Sequence, residues 1–378
     1  MSNNSDKGTK NLNVPTLRFP EFEGEWEAFR NDSLFDTISE KNKKKEFTDV
    51  LSASQTEGMV LRNTLGIDIK FEEDSIKTYK IVRCGDYVIH LRSFQGGFAF
   101  SDVVGVCSPA YTILRPSEKL SYGFLRPYFM SQKFIDSLRI VIYGIRDGKS
   151  ISTEEWLKLY TFVPTKQEQN KIITFIKLID QRISTQNKII ESLESLIKGL
   201  YVQYFSKMES ISKLDSVCTI QKGEQINGDE LSELGEYYVM NGGILPSGYY
   251  HKFNTLGDTI SISEGGNSCG YVQYNNKPFW SGGHCYSLLN ISPSINVRYL
   301  YHFLKANEEK IMRLRIGSGL PNIQKKDLSR FDISIPPKNV QQQIVSFFDS
   351  ITRKIEVEKN ILSALQKQKG YLLQTMFI

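Results

Sequence analysis

One stretch of this chain occurs twice, and the repeat constrains everything else. Residues 161–205 return at 333–377 with a constant offset of 172 and no gap. Pro164/Pro336, Gln169/Gln341, Ile172/Ile344, Ile179/Ile351, Leu193/Leu365 and Phe205/Phe377 are identical pairs. The shared period says more than the identity. Ile172, Ile176, Ile179, Ile183, Gln186, Ile190 and Leu193 advance in alternating steps of four and three, and so do Ile344, Phe348, Ile351, Ile355, Glu358, Leu362 and Leu365. That alternation is the a/d seam of a coiled coil. A long helix with such a seam must bury it, and its own repeat is the nearest partner. The fold class that follows is α+β: two β-rich domains, each followed by a long helix, the two helices packed as an antiparallel coiled coil.

The sequence divides accordingly. Residues 1–13 are polar and read as a disordered leader; 14–163 form a first domain, 164–208 a long helix, 209–335 a second domain and 336–378 a second long helix. A chain of 378 residues with 40% hydrophobic and 24% charged residues can build two or three cores. No apolar run approaches membrane-spanning length and the N-terminus is not signal-like, so no membrane partner and a cytoplasmic location are expected. Five irregularly spaced cysteines and four histidines give neither a disulfide framework nor a metal-ligand spacing. No metal site is expected.

In the first domain, short β-rich runs at 86–91, 98–100, 103–106 and 111–114 precede a helix over 122–138 and a glycine-bearing loop at 143–150. Thr165 and Glu168 have capping-box spacing at the start of the first long helix. At ~1.5 Å per residue that helix spans ~60 Å. In the second domain, strands are expected at 214–220, 237–240, 259–263, 271–274 and 286–289, a helix at 298–314, and glycine-rich loops at 241–243, 263–270, 281–284 and 315–322. Asn339 is the expected cap of the second long helix. The same offset pairs Ile151 with Ile323, Trp156 with Leu328 and Val163 with Ile335, so both domains leave for their helices alike, although their upstream parts differ in sequence and length.

Chemistry motifs are missing. There is no GxxxxGK[ST] loop, no GxGxxG between strand and helix, no GxSxG elbow, and no Asn/Asp-Pro-Pro-aromatic signature of an adenine methyltransferase. No catalytic residue is therefore assigned. Binding is better supported. The loops of the first domain carry Lys43, Lys44, Arg92, Ser93, Gln95, Arg146 and Lys149; those of the second carry Lys222, Gln225, Asn241, Asn267, Ser268, Tyr271, His284, Arg315 and Asn322. Arg, Lys, Asn and Gln make paired hydrogen bonds to base edges, and cationic side chains supply salt-sensitive attraction to phosphates. The formal charge of +5 permits a polyanionic partner without demanding one. Two unlike heads on helices ~60 Å long suit double-stranded DNA, which rises ~3.4 Å per base pair, read as two different half-sites. A two-headed coiled-coil scaffold or adhesion protein with a non-DNA ligand is the competing reading.

From Val14 onward the chain resembles the specificity subunits of type I restriction–modification enzymes. Two variable target-recognition domains, each followed by a like helix, carry the resemblance. Locally it rests on Pro164-Thr165-Lys166-Gln167-Glu168-Gln169-Asn170-Lys171-Ile172 at the head of the first long helix, and on Val14-Pro15-Thr16-Leu17-Arg18-Phe19-Pro20 with Trp26 as lead-in. The second copy departs, having Val340 where Glu168 stands. The resemblance implies a subunit that is not itself an enzyme. It implies two modification (methyltransferase) subunits as partners and restriction (translocase/endonuclease) subunits in the same complex. No cofactor is implied in this chain; S-adenosylmethionine, ATP and Mg2+ belong to the partner subunits. The helices would space the half-sites and dock the modification subunits. Ile173, Phe175, Ile189, Leu196, Val345, Phe347 and Ile361, apolar but off the seam, are the expected docking face. Gln186 and Glu358 interrupt the two seams at equivalent places, and in an antiparallel pair about a twofold axis they should meet.

Overall fold

The computed structural model describes residues 13–54, 57–65, 73–90, 97–143, 150–206, 208–209, 212–317, 319 and 321–378. The expected leader lies outside them save for Asn13, as do Arg92, Ser93, Gln95, Arg146 and Lys149. Two compact units emerge. Unit 1 joins Met1–Thr185 to Ile361–Ile378, and unit 2 is Gln186–Asn360. Each unit therefore holds one β-rich head together with a piece of both long helices, Lys166–Phe205 and Lys338–Thr375.

Every seam residue is buried or half-buried. The antiparallel direction is visible inside each unit. In unit 2, Gln186 donates from its amide both to the carboxylate and to the backbone carbonyl of Glu358, while Tyr201, further along, lies 4.6 Å ring to ring from Phe348. In unit 1, Asp180 pairs with Lys369 at 2.6 Å, and Ile172 and Ile176 share a core with Leu372, Leu373, Met376 and Phe377. The Lys354 ammonium, 2.5 Å from the Glu358 carboxylate, together with the Gln186 amide holds that carboxyl below its ordinary range. A buried polar pair satisfied in this way discriminates between registers, because a shifted helix would leave both groups unpaired.

The heads share a topology that their sequences hide. In unit 1, β1 (Phe35–Ile38), β2 (Tyr87–Ile89), β3 (Phe98–Phe100) and β4 (Thr112–Pro116) form an antiparallel sheet in the order β1-β4-β2-β3. In unit 2, β5 (Thr219–Lys222), β6 (Thr259–Ser263), β7 (Val272–Asn275) and β8 (Cys285–Leu289) repeat it as β5-β8-β6-β7. Registers correspond as well: Ile113 faces Ile38 and Val88 across its two neighbours, and Leu288 faces Ile220 and Ile260.

Both heads are fastened to their long helix by the same residue. Gln169, only 1% exposed, accepts from the Ser121 backbone N–H at 2.7 Å and donates to Lys119 and Pro164 carbonyls. Gln341, equally buried, accepts from Asn296 N–H at 2.7 Å and donates to Ser294 and Pro336 carbonyls. A glutamine amide offers two donors and an acceptor on one short arm, so no apolar residue can replace it here.

Several local expectations are corrected. The helix over 122–138 breaks into Arg126–Phe129, Gln132–Ser137 and a 3-10 turn, because Ser131 caps a fresh start by accepting from Phe134 N–H. The helix over 298–314 divides at Asn307, whose amide turns back to the Phe303 carbonyl. Residues 214–216 form a 3-10 turn, and the strand begins only at Thr219. Asn339 lies inside the first turn of the second long helix, which already begins at Lys338. Half of the expected capping box forms: Thr165 Oγ1 accepts from Glu168 N–H at 3.4 Å. The Glu168 carboxylate does not reach back. It is buried under the lead-in segment, taking two hydrogen bonds from Arg18 at 2.8 and 2.7 Å and one from Trp26 Nε1 at 3.2 Å. Three residues of the expected docking face are also covered. Ile173 and Phe175 pack against the unit 1 core, Phe175 edge-on to Phe19 at 5.6 Å, and Val345 belongs to the unit 2 core.

Candidate nucleic-acid interface

The strands of unit 2 gather most of its candidate residues at one end. Lys222 closes β5, Ser263 closes β6, Cys285 opens β8 and Val272 opens β7, all at the same edge of the ladder. The loops leaving that edge interlock through backbone hydrogen bonds. Glu224 N–H donates to Ser281 O, Gly282 N–H to Met240 O, Glu264 N–H to His284 O, Gly266 N–H to Pro321 O and Ile323 N–H to Glu264 O. Two glycines make the fit possible. A Cβ on Gly223 would stand 2.3 Å from the carbonyls of Ser281 and Gly282, and Gly242 adopts a φ of +83° against His284. Any side chain at Gly223 would push these loops apart.

At the centre lies Glu264, a residue not singled out from sequence. Its side chain is 12% exposed. The carboxylate accepts from Lys222 Nζ at 2.6 Å and from the Tyr286 hydroxyl at 3.0 Å, with His284 Nδ1 at 3.7 Å. Its backbone carbonyl also takes the Cys269 thiol. Around it the predicted residues fall into two sorts. Lys222, Asn267, His284 and Arg315 present exposed side chains. Asn241, Ser268, Asn322 and Gln225, the last also exposed, are loop-builders. The Asn241 side chain accepts from His284 N–H at 3.1 Å, Gln225 packs against Gly283, the Ser268 carbonyl accepts from Tyr271 N–H, and Asn322 accepts from Gln324. Tyr271 is withdrawn from the group: Lys305 sits 3.9 Å over its ring, and burial raises the phenol's pKa.

In unit 1 the corresponding edge carries Lys43 and Lys44, both exposed, on the turn after β1. Asn42, only 1% exposed, holds this turn by donating to Phe47 O at 2.7 Å and accepting from Phe47 N–H. The run of lysines is thus a fixed surface feature rather than a loose tail. Lys44 pairs weakly with Glu46 at 3.8 Å. Among the described residues no group of three or more His, Cys, Asp or Glu side chains is placed to hold a metal, and no helix is long and apolar enough to cross a membrane. All five cysteines are free; four are buried, and burial pushes the Cys107 thiol up to about 12.

Residues 206–367, which contain this whole edge of unit 2, match the family described as type I restriction modification DNA specificity domain. Over 132 residues the chain is 39% identical to a putative type I specificity subunit of Mycoplasma pneumoniae, covering 34% of each protein. Over 166 residues it is 30% identical to another from Mycoplasma genitalium, covering 43% of each. The resemblance to type I specificity subunits is thus carried by residues 206–367. These alignments span only about a third to 43% of the curated relatives' own length. The fold extends further. The crystal structure of a type I restriction-modification system S subunit from M. genitalium superposes with a TM-score of 0.63 at 20% identity, covering 97% of this chain and 99% of that one. A second solved chain, from work on complex assembly and conformational transition of the type I system, gives a TM-score of 0.58 at 17% identity over 93% of this chain. The match to the specificity-domain family thus lies almost wholly in unit 2, while the fold likeness to the S subunits runs along almost the whole chain.

Proposed function

We propose that this chain is a type I specificity subunit, a non-catalytic reader of double-stranded DNA. Each head reads one half of a split, asymmetric site, and the paired long helices set the spacer between the halves. The observation that carries the reading is the edge of unit 2, where Lys222, Asn267, His284 and Arg315 converge on interlocked glycine loops within the DNA specificity domain. Lys43 and Lys44 occupy the matching edge of unit 1; Arg92, Ser93, Gln95, Arg146 and Lys149, outside the described residues, are assigned to DNA binding from sequence. Exposed cations such as Lys43, Lys44 and Arg315 hold the phosphates, and fixed polar groups test base edges. Ile189, Leu196, Phe347 and Ile361 stay exposed on the long helices and form the docking face for two modification subunits. Those subunits would bring S-adenosylmethionine, and restriction subunits would add ATP- and Mg2+-dependent steps.

Co-expression with a methyltransferase subunit, followed by single-molecule sequencing, tests this. The expected result is N6-methyladenine at one split motif. Exchange of residues 209–335 for another head should alter one half of that motif and leave the other unchanged. Absence of methylation together with absence of salt-dependent DNA binding overturns the proposal.

A further inference from the structure

Glu264 is an acidic residue at the middle of a surface read above as DNA-facing, and its position asks for a reason. A carboxylate facing DNA repels phosphates, so chance exposure would weaken binding. This carboxylate is not exposed. It lies beneath Lys222, whose side chain is 52% exposed, and joins Lys222, Tyr286 and the 282–284 turn. Lys222 therefore cannot behave as a free cation. Its ammonium already has a counter-charge at 2.6 Å, supplied by the protein itself. A lysine neutralised in this way releases little bound salt when it meets a phosphate, because its own charge is compensated beforehand.

We propose that Glu264 is a positioning residue that converts Lys222 from a phosphate anchor into an oriented reader, holding its ammonium and the His284 turn in a fixed direction toward the base edges. The inference rests on the DNA-binding reading of unit 2. Hydrogen-bond orientation is what distinguishes base contacts from backbone attraction, and a pinned ammonium keeps orientation while giving up long-range pull. Glu264 thereby trades non-specific affinity for discrimination.

The salt dependence of DNA binding separates this from a merely structural role. The full chain is titrated with mixed-sequence duplex DNA across a salt series, as wild type, Lys222→Gln, Glu264→Gln and the double variant. One free phosphate contact contributes ~0.9 to the slope of log K against log salt. Lys222→Gln should change the wild-type slope by clearly less than ~0.9, but by the full ~0.9 in the Glu264→Gln background. Glu264→Gln alone should bind mixed-sequence DNA more tightly, with a steeper slope and poorer preference for the cognate motif. Equal effects of Lys222→Gln in both backgrounds overturn the proposal. Should Glu264→Gln fail to fold, Lys222→Gln in the wild-type background still decides, since a full ~0.9 change there marks an ordinary phosphate contact. No DNA binding by the wild-type chain at any salt defeats the DNA-binding reading itself, an outcome distinct from the others.

Discussion

In unit 2, the head helix meets the long helices through one continuous polar chain. Arg298 bonds to Asp349 at 2.5 Å, His302 Nε2 faces the same carboxylate at 2.7 Å, and Tyr201 reaches His302 Nδ1 at 2.9 Å. Facing a carboxylate, Nε2 carries the proton, so Nδ1 accepts from the tyrosine. The residues at the same repeat positions in unit 1 are Arg126, Met130, Lys177 and Leu373. They line an open cleft of about 560 Å³. Arg126, without the carboxylate that Arg298 has, turns to Asp102 at 2.6 Å. The repeated helices thus dictate where each head is fastened, but not with what chemistry. A joint holds either as a closed hydrogen-bonded chain or as an apolar floor with paired charges at its rim, provided that each buried polar group finds a partner.

The same lesson appears at smaller scale. Thr161 donates to buried Asn31 at 2.6 Å, and Asn31 donates to the Trp156 carbonyl. In unit 2 the corresponding residues are Leu214 and Ile333, both fully buried. A polar pair has been exchanged whole for an apolar pair, which leaves no orphan; replacing only one member would leave one.

The contrast can be broken most severely at the helix starts. Glu168→Ala strands Arg18 and Trp26 beneath the lead-in and should cost about 3–5 kcal/mol, whereas Val340→Ala, at the same repeat position, should cost about 1 kcal/mol or less. Chemical denaturation measures both. Next comes the joint itself. Asp349→Ala removes the acceptor of Arg298 and His302 and should cost about 2–3 kcal/mol, while Lys177→Ala should stay within about 0.5 kcal/mol. The fastening glutamines should behave alike: Gln169→Ala and Gln341→Ala each remove the same three hydrogen bonds, for about 1–3 kcal/mol apiece. A clear inequality between those two would show that the fastening is not equivalent.

The mildest effect is that of pH. Burial lowers the pKa of His302 from its ordinary 6.5, against the opposing pull of Asp349. Burial raises that of Asp349, but hydrogen bonds from Arg298 and His302 bring it below its ordinary 3.8. Both groups therefore bind protons more readily in the unfolded chain. The stability they contribute is complete above pH 6.5, declines as pH falls below it through the His302 transition, and declines further below 3.8. Hydrogen exchange of the Val297–Ala306 amides should follow the first decline, and a His302→Gln variant should lose it.

What the sequence made legible follows from the range of each interaction. The seam was readable because a period of four and three repeats along one stretch, and Gln186 and Glu358 could be paired because the repeat places them at equivalent steps. The common sheet was not. Its strands are three to five residues long, and equivalent positions carry different side chains, with Gly85-Asp86 and Gly257-Asp258 among the few that match. Breaks at Ser131 and Asn307 depend on single side chains turning back to the backbone, which a hydrophobic face spanning the break conceals. Glu264 escaped notice for another reason. Its partner Lys222 lies 42 residues away, and only the closure of β5, β8 and β6 brings them together. A glutamate leading into a glycine-rich loop directly after a strand was the available signal.

The composition of unit 1 has a consequence for the order in which the chain can fold. Its core includes Leu372, Leu373, Met376 and Phe377, with Phe377 ringed by Trp26, Phe124 and Tyr128. Backbone and side-chain bonds from Leu17 and Lys133 also end on Thr375 and Phe377. During synthesis these residues emerge only after all of unit 2 has been made. The N-terminal head must wait with its aromatic core uncovered, while Gln186–Asn360, translated later, can close first. Unit 1 is therefore the later of the two to be completed, against the N-terminal-first order usual for domains. Released chains truncated just before residue 372 should present a protease-resistant unit 2 and a sensitive unit 1.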